Sequence, residues 1–339
     1  MKFGPLPVVQ ARGTILAHSV RLPGGRLRKG LRLEDTHLQA LSAAGHDKIV
    51  VARLEAADLH EDAAAGEVAA ALAGGSTSLR SSEAFTGRVN LIAEHPGVVQ
   101  LDADAIHAAN AVDPAITVAT VPPFHQIHPR GMVATVKIIP YGVSKSSVEA
   151  ACEAARGAIT LARPICRTAS LIVSEIAGGP GSKGVEAIEN RLAALDIGLS
   201  ESLSCRHEEG AIADRVRAAT GEIILILTGS ATSDAHDTAP AALVRAGGRM
   251  ERFGMPVDPG NLLFLGEYRG KKVIGLPGSA RSPVLHGADW ILSRVACGIP
   301  VGDAEIARMG VGGLLKEIPT RPQPRTARKP TGEHASDQD

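Results

Sequence analysis

The residues best suited to chemistry lie close together between Thr228 and Asp237, a stretch reading Thr-Gly-Ser-Ala-Thr-Ser-Asp-Ala-His-Asp. Thr228, Gly229, Ser230, Thr232 and Ser233 offer hydroxyls and an open backbone, a donor set that can grip phosphate oxygens. Asp234 and Asp237 add two carboxylates to the same loop. A bare phosphate cradle gains nothing from negative charge, so the pair points to a divalent cation held between protein and phosphate. A plainer role competes for Asp237, which stands where a helix N-cap would. No Ser-His-Asp order or active-cysteine pattern accompanies the loop, so its Thr and Ser read as hydrogen-bond donors and not as nucleophiles.

The flanking elements must aim these groups. Ile223 to Leu227 is an unbroken, β-branched apolar run, the pattern of a strand buried on both faces of a parallel sheet. A helix is predicted over 239–246, with Pro240 in its first turn. Upstream, strand and helix signals alternate: strands over 169–176 and 197–204, helices over 185–195 and 211–219. Downstream come strands over 262–265 and 272–275, then a helix over 284–296. Such alternation predicts an α/β domain with a doubly wound, mainly parallel sheet, whose ligands gather at the carboxyl ends of the strands.

Two smaller lobes are expected before it. Residues 1–80 read as an α/β unit, with helices over 33–44 and 58–73 around a strand at 48–52, and Gly74 to Ser78 as a linker. Residues 81–165 read as α+β, with strands over 88–93, 98–101, 116–121 and 132–139 and helices over 102–111 and 144–159. The domain with the chemistry is expected over 166–318. Residues 319–339 carry prolines and charges with almost no apolar bulk and are expected to be disordered.

Composition removes several classes. The 339 residues have a formal net charge of +0 and 2% aromatics, so neither a basic field nor stacking rings serve nucleic acid. No apolar run approaches the length of a membrane span, and the start lacks the apolar core of a signal peptide, which gives a cytoplasmic expectation. Cys152, Cys166, Cys205 and Cys297 show no Cys-x-x-Cys spacing and read as reduced core residues. His125 and His128 sit in a proline-rich loop that disfavours the helical turn a metal pair would need. Arg26, Arg28 and Lys29 read as a solvated basic turn, and Lys137 as a strand cation facing either a ligand or water. Gly179-Pro-Gly-Ser-Lys-Gly184 formally matches a dinucleotide fingerprint, with Glu201 as the nearby ribose-binding acid, so a dinucleotide-dependent oxidoreductase is an alternative. Lys183 in that loop could equally meet a phosphate.

The Thr228–Asp237 loop, paired with Gly275-Leu-Pro-Gly-Ser-Ala-Arg-Ser282, resembles the molybdopterin-binding domain of molybdenum-cofactor biosynthesis proteins. That family pairs a Thr- or Ser-rich glycine loop ending in an acid with a Leu-Pro-Gly-small loop. Ala11-Arg-Gly-Thr-Ile-Leu-Ala17 is similar to the start of the molybdopterin molybdenumtransferases, so the resemblance extends over most of residues 1–318. It is closest to a bacterial branch in which this domain often precedes a molybdopterin nucleotidyltransferase, a second half these residues do not contain.

The resemblance implies a molybdopterin-binding fold. By position it gives Thr228, Gly229, Ser230, Thr232 and Ser233 to the pterin phosphate or its adenylate, and Pro277, Gly278, Ser279 and Arg281 to the ligand's other side. Asp237, helped by Asp234, would act through Mg²⁺ or molybdate. The chain departs from the family at Gly229-Ser230, where a glycine pair is usual, and before Asp237, where a glycine is expected. Asp258 and Asn261 stand where the molybdenumtransferases place lysines. Two roles follow, a Mg²⁺-dependent molybdate-inserting transferase, or a non-catalytic carrier or sensor. The carrier would present the cofactor to a nucleotidyltransferase or an apo-molybdoenzyme. Self-association is expected from the same resemblance.

Overall fold

The computed structural model describes residues 1–315, so the tail expected at 319–339 lies outside the described residues. The fold is mixed α/β, with separate small sheets in the first half and one large sheet in the second.

The N-terminal sheet runs in the order Lys2–Pro7, Lys48–Arg53, Ile15–Leu16, all antiparallel. It packs with the helix Asp35–Ala43 around Leu16, Leu33, Leu41, Ile49 and Val51. The helix expected from residue 58 starts only at Glu61. Asp58–His60 instead pairs with Gly142–Ser144, and the His60 ring accepts the Asp62 N–H as a cap. The helix ends at Gly74, whose φ of 56° is left-handed.

That helix does not pack with the N-terminal sheet. Its Ala64, Val68 and Leu72 enter one core with Val89, Leu91 and Val136. The sheet opposite runs Ile116–Thr120, Met132–Ile138, Arg88–Ala93, Leu79–Ser81. The turn after Gly74 therefore joins two elements of a shared core. The helix expected over 144–159 stops at Ala154, because Ile159–Ala162 is a strand paired with Gly97–Leu101.

The large sheet has six strands, in the order Gly198–Arg206, Thr168–Glu175, Ile223–Leu227, Lys271–Leu276, Phe264–Tyr268, Arg249–Phe253. The first four are parallel and the last two antiparallel. Ile223–Leu227 is buried throughout, and its alternate residues serve two cores. Leu225 and Leu227 pack with Ile188 and Leu192 of the helix Val185–Ala193 and with Ile291 of the helix Gly287–Ala296. Ile224 and Ile226 pack with Ile212 and Val216 of the helix Glu209–Ala218 and Leu243 of the helix Thr238–Arg245. Each such side chain contributes at most about 1.5–3 kcal/mol of transfer free energy. The edge strand Arg249–Phe253 was not foreseen, since its charges hide any apolar period. Glu251 there pairs with Lys272 at 2.8 Å, the kind of charged edge that discourages strand addition.

Chain order places Gly198–Arg206 on one side of Thr168–Glu175 and Ile223–Leu227 on the other. The loops after Thr168–Glu175, Ile223–Leu227 and Lys271–Leu276 consequently leave the carboxyl ends of three adjacent parallel strands. Such a reversal is where open α/β sheets form crevices.

Candidate functional site

Those three loops and the turn before Phe264 enclose a cavity of about 820 Å³. Thr228 to Ala231 form one wall, Pro277, Gly278, Ser279 and Arg281 a second, and Asp258, Pro259, Asn261 and Leu262 a third, with Pro180 at the rim.

The first wall is fixed from below. Ser174, in the neighbouring strand and 1% exposed, takes the Gly229 N–H on its hydroxyl at 3.1 Å and shares a hydrogen bond with His207 Nδ1 at 2.9 Å. Gly229 admits no side chain, because a Cβ there would stand 2.6 Å from the Ser174 carbonyl oxygen.

The second wall hangs on two arginines. Arg281 donates from Nη1 to the Gly181 carbonyl at 2.9 Å and from Nη2 to the Thr228 carbonyl at 3.1 Å, tying the three strand-end loops together. Arg191 is 9% exposed and donates to the carbonyls of Ala280, Ser282 and Val284 while its Nε meets Asp289 at 2.6 Å. Burial raises the Asp289 carboxyl above its ordinary range and Arg191 opposes that rise, so the pair stands only with its hydrogen bonds in place. The third wall is pinned by the Gly287 N–H, which donates to the Pro259 carbonyl at 2.8 Å.

Two residues of the lining each carry an unused donor. The Thr228 hydroxyl and the Arg281 Nε are buried without a hydrogen-bond partner among the described residues. Burial also lowers the Arg281 pKa, since a desolvated guanidinium resists its charge. Leaving such groups unpaired costs about 1–3 kcal/mol each, more for a charge. The Arg281 cation together with the exposed serines Ser230 and Ser279 in one lining suits an anion with several acceptor oxygens.

The sequence-predicted residues divide cleanly. Thr228, Gly229, Ser230, Pro277, Gly278, Ser279 and Arg281 line the cavity, whereas Thr232, Ser233, Asp234 and Asp237 do not. Asp237 is the N-cap of Thr238–Arg245, accepting the Thr238 N–H at 2.7 Å and the Ser233 N–H at 2.9 Å. Asp234 closes a local turn on His236, with its Oδ1 2.8 Å from the His236 N–H. The cation clamp expected on these two carboxylates is not assembled at the cavity: Asp237 has both oxygens on backbone N–H groups, Asp234 uses only Oδ1, and neither residue is part of the lining. Among the described residues no group of three or more His, Cys, Asp or Glu is placed to hold a metal.

Asp258, the cavity's one carboxylate, stood in the sequence only as a departure, and Asn261 likewise. Arg191 carried a weak signal, a charge on the apolar stripe of Ile188 and Leu192.

Other candidates lie elsewhere. Lys137 stands 3.7 Å from the nearly buried Glu61. The cysteines are free. The basic residues Arg26, Arg28 and Lys29 surround a surface hollow with Ser19. The glycine loop before Val185 does not behave as a dinucleotide fingerprint. A Cβ on Gly184 would stand 2.4 Å from Arg281 Cβ, so that glycine serves loop contact. Glu201 bonds to Thr220 and Ser170 at the amino end of the sheet, opposite to where a ribose-binding acid belongs.

Residues 5–53 match the model of a domain of unknown function (DUF8806). No curated protein matches the sequence. Among solved structures, the MoeA protein of molybdopterin biosynthesis from Pyrococcus horikosii aligns over 88% of this chain and 75% of its own, at 11% identity and a TM-score of 0.31. A CinA protein of unknown function from Thermoplasma acidophilum aligns over 34% of this chain and 90% of its own, at 17% identity and a TM-score of 0.26. Likenesses this distant decide nothing about the present chain.

Proposed function

We propose that this protein binds molybdopterin or its nucleotide adduct through the ligand's phosphate, in the cavity at the carboxyl ends of a doubly wound sheet, and serves molybdenum-cofactor biosynthesis. The observation that carries this reading is one cavity of about 820 Å³ whose lining brings Arg281 together with the exposed serines Ser230 and Ser279. That volume falls within the range of small-molecule sites. The lining also comes from the two loops whose sequences carry the family resemblance.

Thr228, Ser279 and Arg281 would hold the phosphate, and Gly278, where a Cβ would meet nothing within 4 Å, leaves room along the second wall. The pterin would supply the dithiolene that carries the metal.

One observation favours the carrier over the molybdate-inserting transferase. Asp237, which would lead the Mg²⁺ clamp, has both oxygens on backbone N–H groups, and neither it nor its helper Asp234 lines the cavity. The proposed role is to hold the cofactor and present it to a nucleotidyltransferase or an apo-molybdoenzyme, with self-association as the accompanying expectation. Mass spectrometry of the small molecule that copurifies, after mild oxidation to the fluorescent pterin, tests this. A pterin phosphate or pterin dinucleotide is expected. A protein purified empty, whose melting temperature ignores added molybdopterin, would overturn the proposal.

A further inference from the structure

Behind the second wall, His286 is 1% exposed and uses both ring nitrogens. Its Nδ1 accepts the Ala288 N–H at 2.9 Å, capping the helix Gly287–Ala296, and its Nε2 lies 2.9 Å from Ser279 Oγ. A ring nitrogen that accepts an N–H carries no proton, and a neutral imidazole has one, which must then sit on Nε2. His286 therefore donates to Ser279. The serine hydroxyl, with one of its two lone pairs taken, cannot return its proton to the ring and has the cavity that Ser279 lines as its outlet.

The surroundings hold His286 in this form. Burial and Arg191 oppose a charge on the ring, Asp258 favours one, and Asp289 accepts the His286 backbone N–H at 2.7 Å. The balance pushes its pKa down to about 4. Even the charged ring would donate from Nε2, so the direction toward Ser279 does not change.

We infer that His286 is a positioning residue that holds the Ser279 hydroxyl as a hydrogen-bond donor toward the cavity, where the oxygens of a phosphoryl group would accept it. The inference rests on the anion-binding reading of the cavity and adds the residue that holds this donor. Ser279 shares the cavity lining with Arg281 and Ser230.

Two measurements on the full chain test it. In the first, nitrogen-15 spectra of labelled histidine, assigned with His286→Asn, are expected to show the proton on Nε2 at neutral pH. A proton on Nδ1 would overturn the inference whatever the cavity binds. In the second, inorganic pyrophosphate is titrated into the wild type, His286→Asn, Ser279→Ala and the double variant. Asn keeps an acceptor for the helix cap while removing the bridge to Ser279. Each single variant is expected to bind on the order of 10-fold more weakly, and the double variant no more weakly than either. Losses that add would overturn the positioning role. A wild type that ignores pyrophosphate would overturn the anion reading itself, and the spectra would still judge the His286–Ser279 bond independently.

Discussion

Arg281 Nη2 donates to the Thr228 carbonyl at 3.1 Å, while Arg281 Nε and the Thr228 hydroxyl both stay unpaired. The two residues brace one another through one set of atoms and leave a second set buried and unpaired. This arrangement couples the integrity of the cavity to its affinity.

Replacing Arg281 should separate those two roles. Arg281→Met loses a charge-assisted donor worth about 1.5–3 kcal/mol, so pyrophosphate binding should weaken on the order of 10- to 100-fold by calorimetry. Arg281→Lys restores the charge but not the planar fork that reaches Gly181 and Thr228 together, and should recover only part of the affinity. Equal binding by the wild type and the Met variant would remove Arg281 from the site.

Thr228→Val should trade function for stability. Valine fills the same space without a hydroxyl that is buried and unpaired, so the ligand-free protein should gain about 1 kcal/mol. Its melting temperature should rise while the shift on adding pyrophosphate shrinks. A lower melting temperature would mean that the hydroxyl already has a partner.

Asp237 should act as a cap. Asp237→Asn should keep both stability and ligand binding, while Asp237→Ala should cost about 1 kcal/mol. The Ser233 and Thr238 N–H groups hold its carboxyl below the usual range. Its contribution is complete above the unfolded carboxylate pKa of about 4 and is lost as pH falls through the lower folded value. Loss of ligand binding in the Asn variant would return the residue to the site.

His286 should impose a pH slope at higher pH. Its folded pKa of about 4 lies below the unfolded value of about 6.5. The unfolded chain then binds the extra proton first, so stability declines as pH falls from about 6.5 toward about 4. The melting temperature of the wild type should fall across that window, and His286→Asn should flatten the profile. An unchanged slope in the variant would assign it to other groups.

Gly181 and Gly184 should differ, although both have positive φ. A Cβ on Gly181, at φ 52°, meets nothing within 4 Å, so Gly181→Ala should cost about 1 kcal/mol of backbone strain. Gly184→Ala drives a methyl into Arg281 and should cost more, weakening pyrophosphate binding as well. NAD(P)H should shift the melting temperature of neither variant nor of the wild type. A shift in the wild type, abolished by Gly181→Val, would revive the dinucleotide reading.

Sequence alone determined the local physics. Ile223–Leu227 is continuously apolar and could only be a strand covered on both faces, and the alternation around it allowed little but an α/β sheet. Thr228 to Ser230 and Pro277 to Arg281 could be named because glycine, hydroxyl and proline types at strand ends carry their conformational meaning in the residue itself. What the tertiary structure decided depends on distance and direction. Asp234 and Asp237 share a loop with Thr228, yet they accept backbone N–H groups and are not part of the cavity lining. Asp258, Arg191 and His286 reach the site from elsewhere in the chain, and the helix Glu61–Ala73 leaves its sequence neighbours for the core of Val89 and Val136. Hydrogen bonds and burial act over a few ångströms of space, and spacing along a chain does not report which groups come within that reach.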